Sequence, residues 1–300
     1  MIPYVREIDF EYGRADQASP LIRRVIARNP GPFTFTGTGT YIVGHGQVAV
    51  IDPGPDLPEH LEALMLATRG ETVSAILVTH THLDHSPLAA PLARLTGATV
   101  YGRPGHETEE EAGDDRPAED EGHAGVFRPD VCIGDGQRVQ GPGWTLQAMA
   151  TPGHAANHVC YALAEENALF SGDHVMGWST TVVSPPDGDM GDYYASLDAV
   201  AARGFDRLWP THGPPVEQVG PFLAAYREHR LQREAQILRQ LALGRGHVGE
   251  MVAAMYAEVD PRLHSAAARS VLAHLIHLVR TGRATTDGEP GPDSAYRLAP

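Results

Sequence analysis

The sequence predicts an α+β protein in two domains, and three observations carry that reading. Runs rich in β-branched residues alternate with helical stretches from about residue 30 to 220. Four of those runs exit into turns that carry histidine or aspartate. The final stretch, from Pro221, reads instead as helices followed by a hairpin. A chain of 300 residues can hold a large domain and a small one, placed at 1–220 and 221–300.

The composition, 42% hydrophobic and 20% charged, is that of a globular protein, and no apolar run approaches the length of a bilayer crossing. Met1-Ile2-Pro3-Tyr4-Val5-Arg6-Glu7-Ile8-Asp9 places charges where an export signal needs an apolar core, so a cytoplasmic protein without membrane attachment is expected. Two cysteines, Cys132 and Cys160, cannot build a disulfide framework and are expected as small buried apolar residues. A net charge of −15 speaks against holding nucleic acid mainly by phosphate attraction.

Residues 1–30 show little periodicity, and Asn29-Pro30-Gly31-Pro32 reads as a turn. Phe33-Thr34-Phe35-Thr36 alternates like a strand. Tyr41-Ile42-Val43 and Val48-Ala49-Val50-Ile51 flank Gly44-His45-Gly46 as a hairpin, with His45 a turn residue. Asp52-Pro53-Gly54-Pro55 ends the third strand, and Pro58 to Thr68, with Leu61, Leu64 and Met65 on one face, reads as a helix stopped near Gly70. Ala75 to Val78 is wholly apolar and expected to be covered on both faces. Ser86-Pro87 reads as the cap and first residue of a helix running through Leu88, Leu92 and Leu95 to Gly97, with a kink at Pro91. Val100-Tyr101 is a short strand. The acidic segment from Glu107 to Glu121 reads as a solvated loop, or alternatively a lid, bordered by His106 and His123 as surface residues.

Chemistry concentrates at the strand exits. Thr79-His80-Thr81-His82-Leu83-Asp84-His85-Ser86 packs three histidines and an aspartate into six positions directly after the apolar strand. Imidazole and carboxylate are ligands for zinc, iron or manganese, and no thiolate lies nearby. Three further strands end in Thr151-Pro152-Gly153-His154, Ser171-Gly172-Asp173 and Pro210-Thr211-His212-Gly213. Side chains that leave several strands at one sheet edge converge, whereas scattered surface histidines have no reason to recur at that place. The stretch Gly177 to Asp189 mixes aromatic and hydroxyl groups and reads as a substrate wall. Trp178, Ser179, Asn157 and Tyr194 are the candidates for substrate contact. Tyr193, sharing a helix face with Leu197 and Val200, reads as core, and Asp189 as that helix's cap.

These motifs resemble those of the metallo-β-lactamase-fold hydrolases: His-x-His-x-Asp-His at His80, His82, Asp84 and His85, then Thr-Pro-Gly-His at His154, Ser-Gly-Asp-His at Asp173 and Pro-Thr-His-Gly at His212. The resemblance implies an αββα four-layer sandwich with two divalent metal ions at one edge of its sheets. It assigns His80, His82 and His154 to one ion and Asp84, His85 and His212 to the other, with Asp173 bridging and His174 outside the ligand set. Zinc is the expected metal, with iron and manganese as alternatives. The implied reaction is hydrolysis by a metal-bridging hydroxide, with Asp84 as the catalytic residue that orients water and carries a proton. A redox role is not expected, because diiron oxidoreductases of this fold usually replace one of these histidines by a carboxylate and His82 is intact.

Beyond Pro221, helices are expected over Leu223 to Leu243, Val248 to Val259 and Ser265 to Val279, then a two-stranded wing from Arg283-Ala284 and Tyr296-Arg297-Leu298. With Ser171-Gly172-Asp173-His174-Val175 and Pro185-Pro186-Asp187-Gly188-Asp189, this resembles the β-lactamase-like protein 2 group, which carries a C-terminal winged helix and whose eukaryotic members are described as single-strand ribonucleases. Residues 221–283 hold nine arginines against five acidic residues. Three functions are therefore carried forward. The first is a hydrolase of a small-molecule ester, thioester, lactone or amide; the second an endoribonuclease on single-stranded RNA; the third a winged-helix binding protein with a relic metal site.

Overall fold

Side chains along a strand alternate between faces, so one apolar run feeds two different cores. In this computed structural model, which describes residues 1–105, 127–258, 260 and 263–300, that alternation builds a layered molecule. The acidic segment, with His106 and His123, lies outside the described residues.

Strands β1 (Ala15–Gln17), β2 (Ile22–Ile26), β3 (Gly39–Val43), β4 (Gln47–Ile51), β5 (Thr72–Leu77), β6 (Thr99–Gly102) and β7 (Val131–Cys132) form the first sheet in chain order. It is antiparallel up to β4 and parallel from β4 onward. Strands β8 (Arg138–Gly141), β9 (Trp144–Ala150), β10 (Val159–Leu163), β11 (Ala168–Gly172) and β12 (Arg207–Pro210) form the second, with β11 and β12 parallel. Tyr41, Val43, Ala49, Ile51 and Leu77 face Trp144, Leu146, Tyr161 and Phe170 between the sheets. Their sequence neighbours Ile42, Val48, Val50 and Ile76 point outward onto α1 (Pro58–Ala67) and α2 (Ala89–Thr96). On the far side, Met149, Cys160, Ala162 and Leu169 pack against α3 (Met190–Arg203) and the first turns of α4 (Val219–Ala242). The order of layers is helix, sheet, sheet, helix.

The C-terminal unit comprises the end of α4, α5 (Val248–Met255), α6 (His264–Arg280) and the wing β13 (Ala284–Thr286) and β14 (Tyr296–Leu298). Its core joins Ile237 and Leu241 to Met251, Val271, Leu275, Leu278 and Tyr296. Helix α4 thus belongs to two cores, with Phe222, Leu223 and Tyr226 in the sandwich and Ile237 and Leu241 in the winged helix.

Several local expectations need correction. Residues 33–36 are not a strand: Asn29 binds the Thr38 amide at 2.9 Å and the Thr38 hydroxyl at 3.0 Å, curling the segment until Phe35 takes φ 57°. Strands β1 and β2 lie where no periodicity was expected, because Arg23-Arg24 interrupts the apolar pattern of β2; the Arg23 guanidinium binds Glu71 at 2.7 Å and the Ala67 carbonyl at 2.9 Å. Helix α2 starts at Ala89, with no side-chain cap from Ser86, so Pro91 falls in the first turn, where a missing N–H leaves no helical bond unmade and the expected kink has no cause. Cys132 is exposed rather than buried, on the edge strand β7, while Cys160 is buried as expected. Asp189 does cap α3, accepting from the Gly191 amide at 2.8 Å and the Asp192 amide at 3.0 Å.

Candidate metal centre

The four strand exits meet at one edge of the sandwich. His80, His82, Asp84 and His85 follow β5, His154 follows β9, Asp173 follows β11 and His212 follows β12, and all seven are buried. They form three overlapping groups, each with its ligand atoms within 4.8 Å of one another: His80, His82 and His154; His80, His85 and Asp173; Asp84, His85 and His212. Asp173 lies between the outer two, with Oδ2 3.6 Å from His85 Nε2 and 3.8 Å from His154 Nε2, and Oδ1 3.5 Å from His212 Nε2.

Buried phenols hold two of these loops from beneath. Tyr161 donates to the Val78 carbonyl at 2.7 Å, just before Thr79-His80, and Tyr41 to the Pro210 carbonyl at 2.6 Å, just before Thr211-His212. Burial raises the Tyr161 phenol well above its usual range and pushes Tyr41 up to about 12, so both remain donors.

The tautomers follow from the hydrogen bonds. Asp52 Oδ2 can only accept, so His85 Nδ1, 2.9 Å away, carries the hydrogen and leaves Nε2 facing inward. His154 Nδ1 and His212 Nδ1 face the carbonyls of Val182 at 2.7 Å and Gly37 at 3.3 Å, with the same result. The Thr79 hydroxyl donates to Asp52 and therefore accepts from His80 Nδ1 at 3.0 Å, which turns His80 Nε2 inward as well. Ring nitrogens then crowd together: His80 Nε2 stands 2.9 Å and His154 Nε2 3.2 Å from His82 Nδ1, within hydrogen-bonding reach. His85 Nε2 and Asp173 Oδ1 are buried with no hydrogen-bond partner. Nitrogen and carboxylate atoms converging on one place, two of them without a hydrogen-bond partner, fit divalent cations.

Charge follows the same division. Burial, reinforced by His85, His82 and His154, holds His80 well below the usual imidazole range. His85 and His212 are buried too, but Asp84 and Asp173 outweigh that effect, raising His85 well above its ordinary value and His212 to about 10. Burial would raise Asp173, and His212 and His85 instead hold it well below the carboxylate range. The carboxylates thus lie beside His85 and His212 and favour their protonated forms, whereas His80 stays neutral among histidines.

A cavity of about 310 Å³ opens on the centre, with His82, Asp84, His154, Asp173 and His212 at one side. Trp178 and Ser179 line it as expected, Trp178 stacking on Phe35 at 4.9 Å. Asn157 and Tyr194 do not line it. Asn157 bonds the Thr81 hydroxyl at 3.0 Å and the Arg103 carbonyl at 3.2 Å, bracing a loop, and Tyr194 donates to Glu234 of α4 at 2.9 Å. Tyr193 is core, donating to the His174 carbonyl at 2.8 Å. His174 joins none of the three groups, and burial pushes it down to about 3.

Sequence reasoning missed two positioning residues. Asp52 binds the Thr79 amide and hydroxyl at 2.8 Å each, the Thr211 hydroxyl at 2.9 Å and His85, tying two loops to one carboxylate. It leaves β4 as the other site residues leave their strands, and that signal was available. His158 bonds the Thr151 hydroxyl at 2.8 Å through Nδ1 and accepts from the Asp173 amide at 3.2 Å.

The fold and the centre together define a hydrolase class, and the comparisons agree. Residues 34–212 match the metallo-beta-lactamase superfamily, and residues 248–292 match the beta-lactamase associated winged helix domain. The chain belongs to the metallo-beta-lactamase superfamily. Among its relatives, an atrochrysone carboxyl ACP thioesterase from Aspergillus chevalieri is 35% identical, the match covering 77% of this chain and 70% of that one. A beta-lactamase-like protein 2 homolog from Caenorhabditis elegans is 34% identical over 75% of this chain and 72% of its own. The crystal structure of a metallo-beta-lactamase family protein from Thermus thermophilus superimposes with a TM-score of 0.75 at 23% identity, covering 93% of this chain and 99% of that one, a likeness of fold.

Proposed function

We propose that the protein is a binuclear metal-dependent hydrolase of a small-molecule thioester, within the wider class of esters, lactones and amides. The observation that carries this reading is the convergence of seven ligand-type residues from four strand exits beside a cavity of small-molecule size. The thioesterase name of a relative 35% identical supports the choice of bond. His80, His82 and His154 would hold one ion and Asp84, His85 and His212 the other, with Asp173 shared; zinc suits this donor set, as do iron and manganese. When bound, two such ions supply an acidified water and polarise the attacked carbonyl.

The chain's own residues do the rest. Asp52 and the backbone carbonyls at Val182 and Gly37 fix the imidazole tautomers. Asp84, 2.9 Å from His212 Nε2 and on the cavity wall, orients water and moves its proton toward the leaving group. A thiolate with a pKa of about 8.5 leaves without much help, so a thioester asks the least of that proton. The catalytic domain is assigned to residues 1–220 and the winged helix to 221–300, α4 being the strut between them.

A second reading, a metal-dependent endoribonuclease on single-stranded RNA, is favoured by the half-buried Arg233, which lines the same cavity. The relic-site reading has no support, since all seven positions are filled. The test is a panel of thioesters, lactones, nitrocefin, phosphodiesters and single-stranded RNA, with and without a chelator. Chelator-sensitive thioester turnover is the expected result, and cleavage of RNA alone would reverse the order of the two readings.

A further inference from the structure

Helix α4 contributes to the lining of the cavity shared with the His/Asp centre, and it does so with cations. Arg230 is 3% exposed, yet among the described residues no carboxylate pairs with it. Its guanidinium donates to the Thr181 carbonyl and lies over the Tyr193 ring at 5.1 Å, while Nε is buried with no partner. The acid one turn further along the helix, Glu234, is already engaged by Arg283 at 2.6 Å and by Tyr194. Arg233 lies over the Tyr256 ring at 4.5 Å, and its hydrogen bond, at 2.8 Å, goes to Gln236 rather than to an acid. Trp178 Nε1 and His229 Nδ1, on the same cavity, are also buried without partners. A buried charge and several unanswered polar atoms are costly unless something fills them.

We propose that Arg230, assisted by Arg233 and Trp178, forms an anion-binding subsite that anchors a carboxylate or phosphate carried by the substrate while its scissile carbonyl lies at the His/Asp centre. The proposal rests on the hydrolase reading and adds its substrate class: an acyl compound with an anionic group on either the acyl chain or the leaving group. A guanidinium matches carboxylate and phosphate oxygens with paired donors. Met176, Leu263, Ala266 and Ala267 supply the apolar contact for the atoms between the two ends. Arg230 is too deeply buried to meet a polynucleotide backbone passing over the surface. Anchoring the far end also restricts the approach of the carbonyl, which is where positioning speeds a reaction.

The test compares kcat/KM of the metal-loaded full chain on three thioesters: glutaryl-N-acetylcysteamine, with the charge on the acyl chain; pentanoyl-coenzyme A, with the charge on the leaving group; and neutral pentanoyl-N-acetylcysteamine. One charged substrate is expected to exceed the neutral one at least about tenfold, mainly through KM, and which one does identifies the source of the anion. That ratio should fall toward one in Arg230→Met and partly survive in the charge-keeping Arg230→Lys, which also serves if the methionine variant folds poorly. Calorimetric titration of the same proteins with glutarate and inorganic phosphate needs no turnover; a Kd at least about fivefold tighter in the wild type than in Arg230→Met is expected. If no thioester is cleaved but glutarate or phosphate binding depends on Arg230, the hydrolase reading fails and the subsite stands. A preference that survives Arg230→Met together with equal anion binding overturns the subsite. So does an Arg230 effect confined to cleavage of single-stranded RNA.

Discussion

Asp173 is the residue on which the centre turns, since its two oxygens face His85, His154 and His212 together. Asp173→Ala or His82→Ala should therefore lower kcat by at least about a thousandfold while leaving far-ultraviolet circular dichroism unchanged, and comparable turnover in mutant and wild type would refute the assignment. Asp52 acts one step back, through His85. Asp52→Asn removes the carboxylate that fixes the His85 Nδ1 hydrogen, so metal affinity should weaken about 10- to 100-fold, as read by competition with a chromogenic chelator. His60 offers a test of burial alone. The Thr40 hydroxyl donates to the Asp52 carbonyl at 2.7 Å and so accepts from His60 Nε2 at 2.8 Å, while burial pushes the imidazole down to about 4. Its folded pKa is lower than the unfolded value of about 6.5, so the unfolded chain takes up the proton first and stability falls as pH drops from about 6.5 to 4. The stability difference between wild type and His60→Gln should shrink by about 3 kcal/mol over that window in urea titrations, and a constant difference would contradict it.

At the scale of elements, the ligand loops were legible in the sequence because each follows a short apolar strand, and the structure brings all four to one edge. Strand β2 was not legible, since Arg23 and Arg24 break its pattern and are answered by Glu71, the Ala67 and Gly44 carbonyls, Asp16 and the Asp9 carbonyl, none adjacent in sequence. Nor was the curl at 29–38, where side-chain bonds of Asn29 override the alternation of Phe33 to Thr36. The role of α4 was hidden for a different reason: a helix that buries Arg230 and Glu234 along with Tyr226 and Ile237 has no clean apolar face to read. The two phenols beneath the loops yield a prediction at this scale. Tyr161→Phe leaves the buried Val78 carbonyl without its partner, so it should cost about 1–3 kcal/mol in chemical unfolding. An unchanged unfolding midpoint would show that the loop needs no support from beneath.

For the molecule as a whole, the winged helix is part of the enzyme's architecture: Arg283 and Tyr194 both bind Glu234, Arg227 pairs with Asp198 of α3 at 2.8 Å, and Arg280 pairs with the α3 cap Asp189. With these contacts in place, residues of both units line the one cavity beside the His/Asp centre. Among the described residues no helix is long and apolar enough to cross a membrane. The central claim, that seven side chains from four loops hold two catalytic ions, is tested most directly by elemental analysis of the purified full chain paired with thioester turnover before and after chelation. Two divalent ions per chain, loss of turnover on their removal and its return on their replacement are the predicted result, whereas undiminished turnover by metal-free protein would contradict the account.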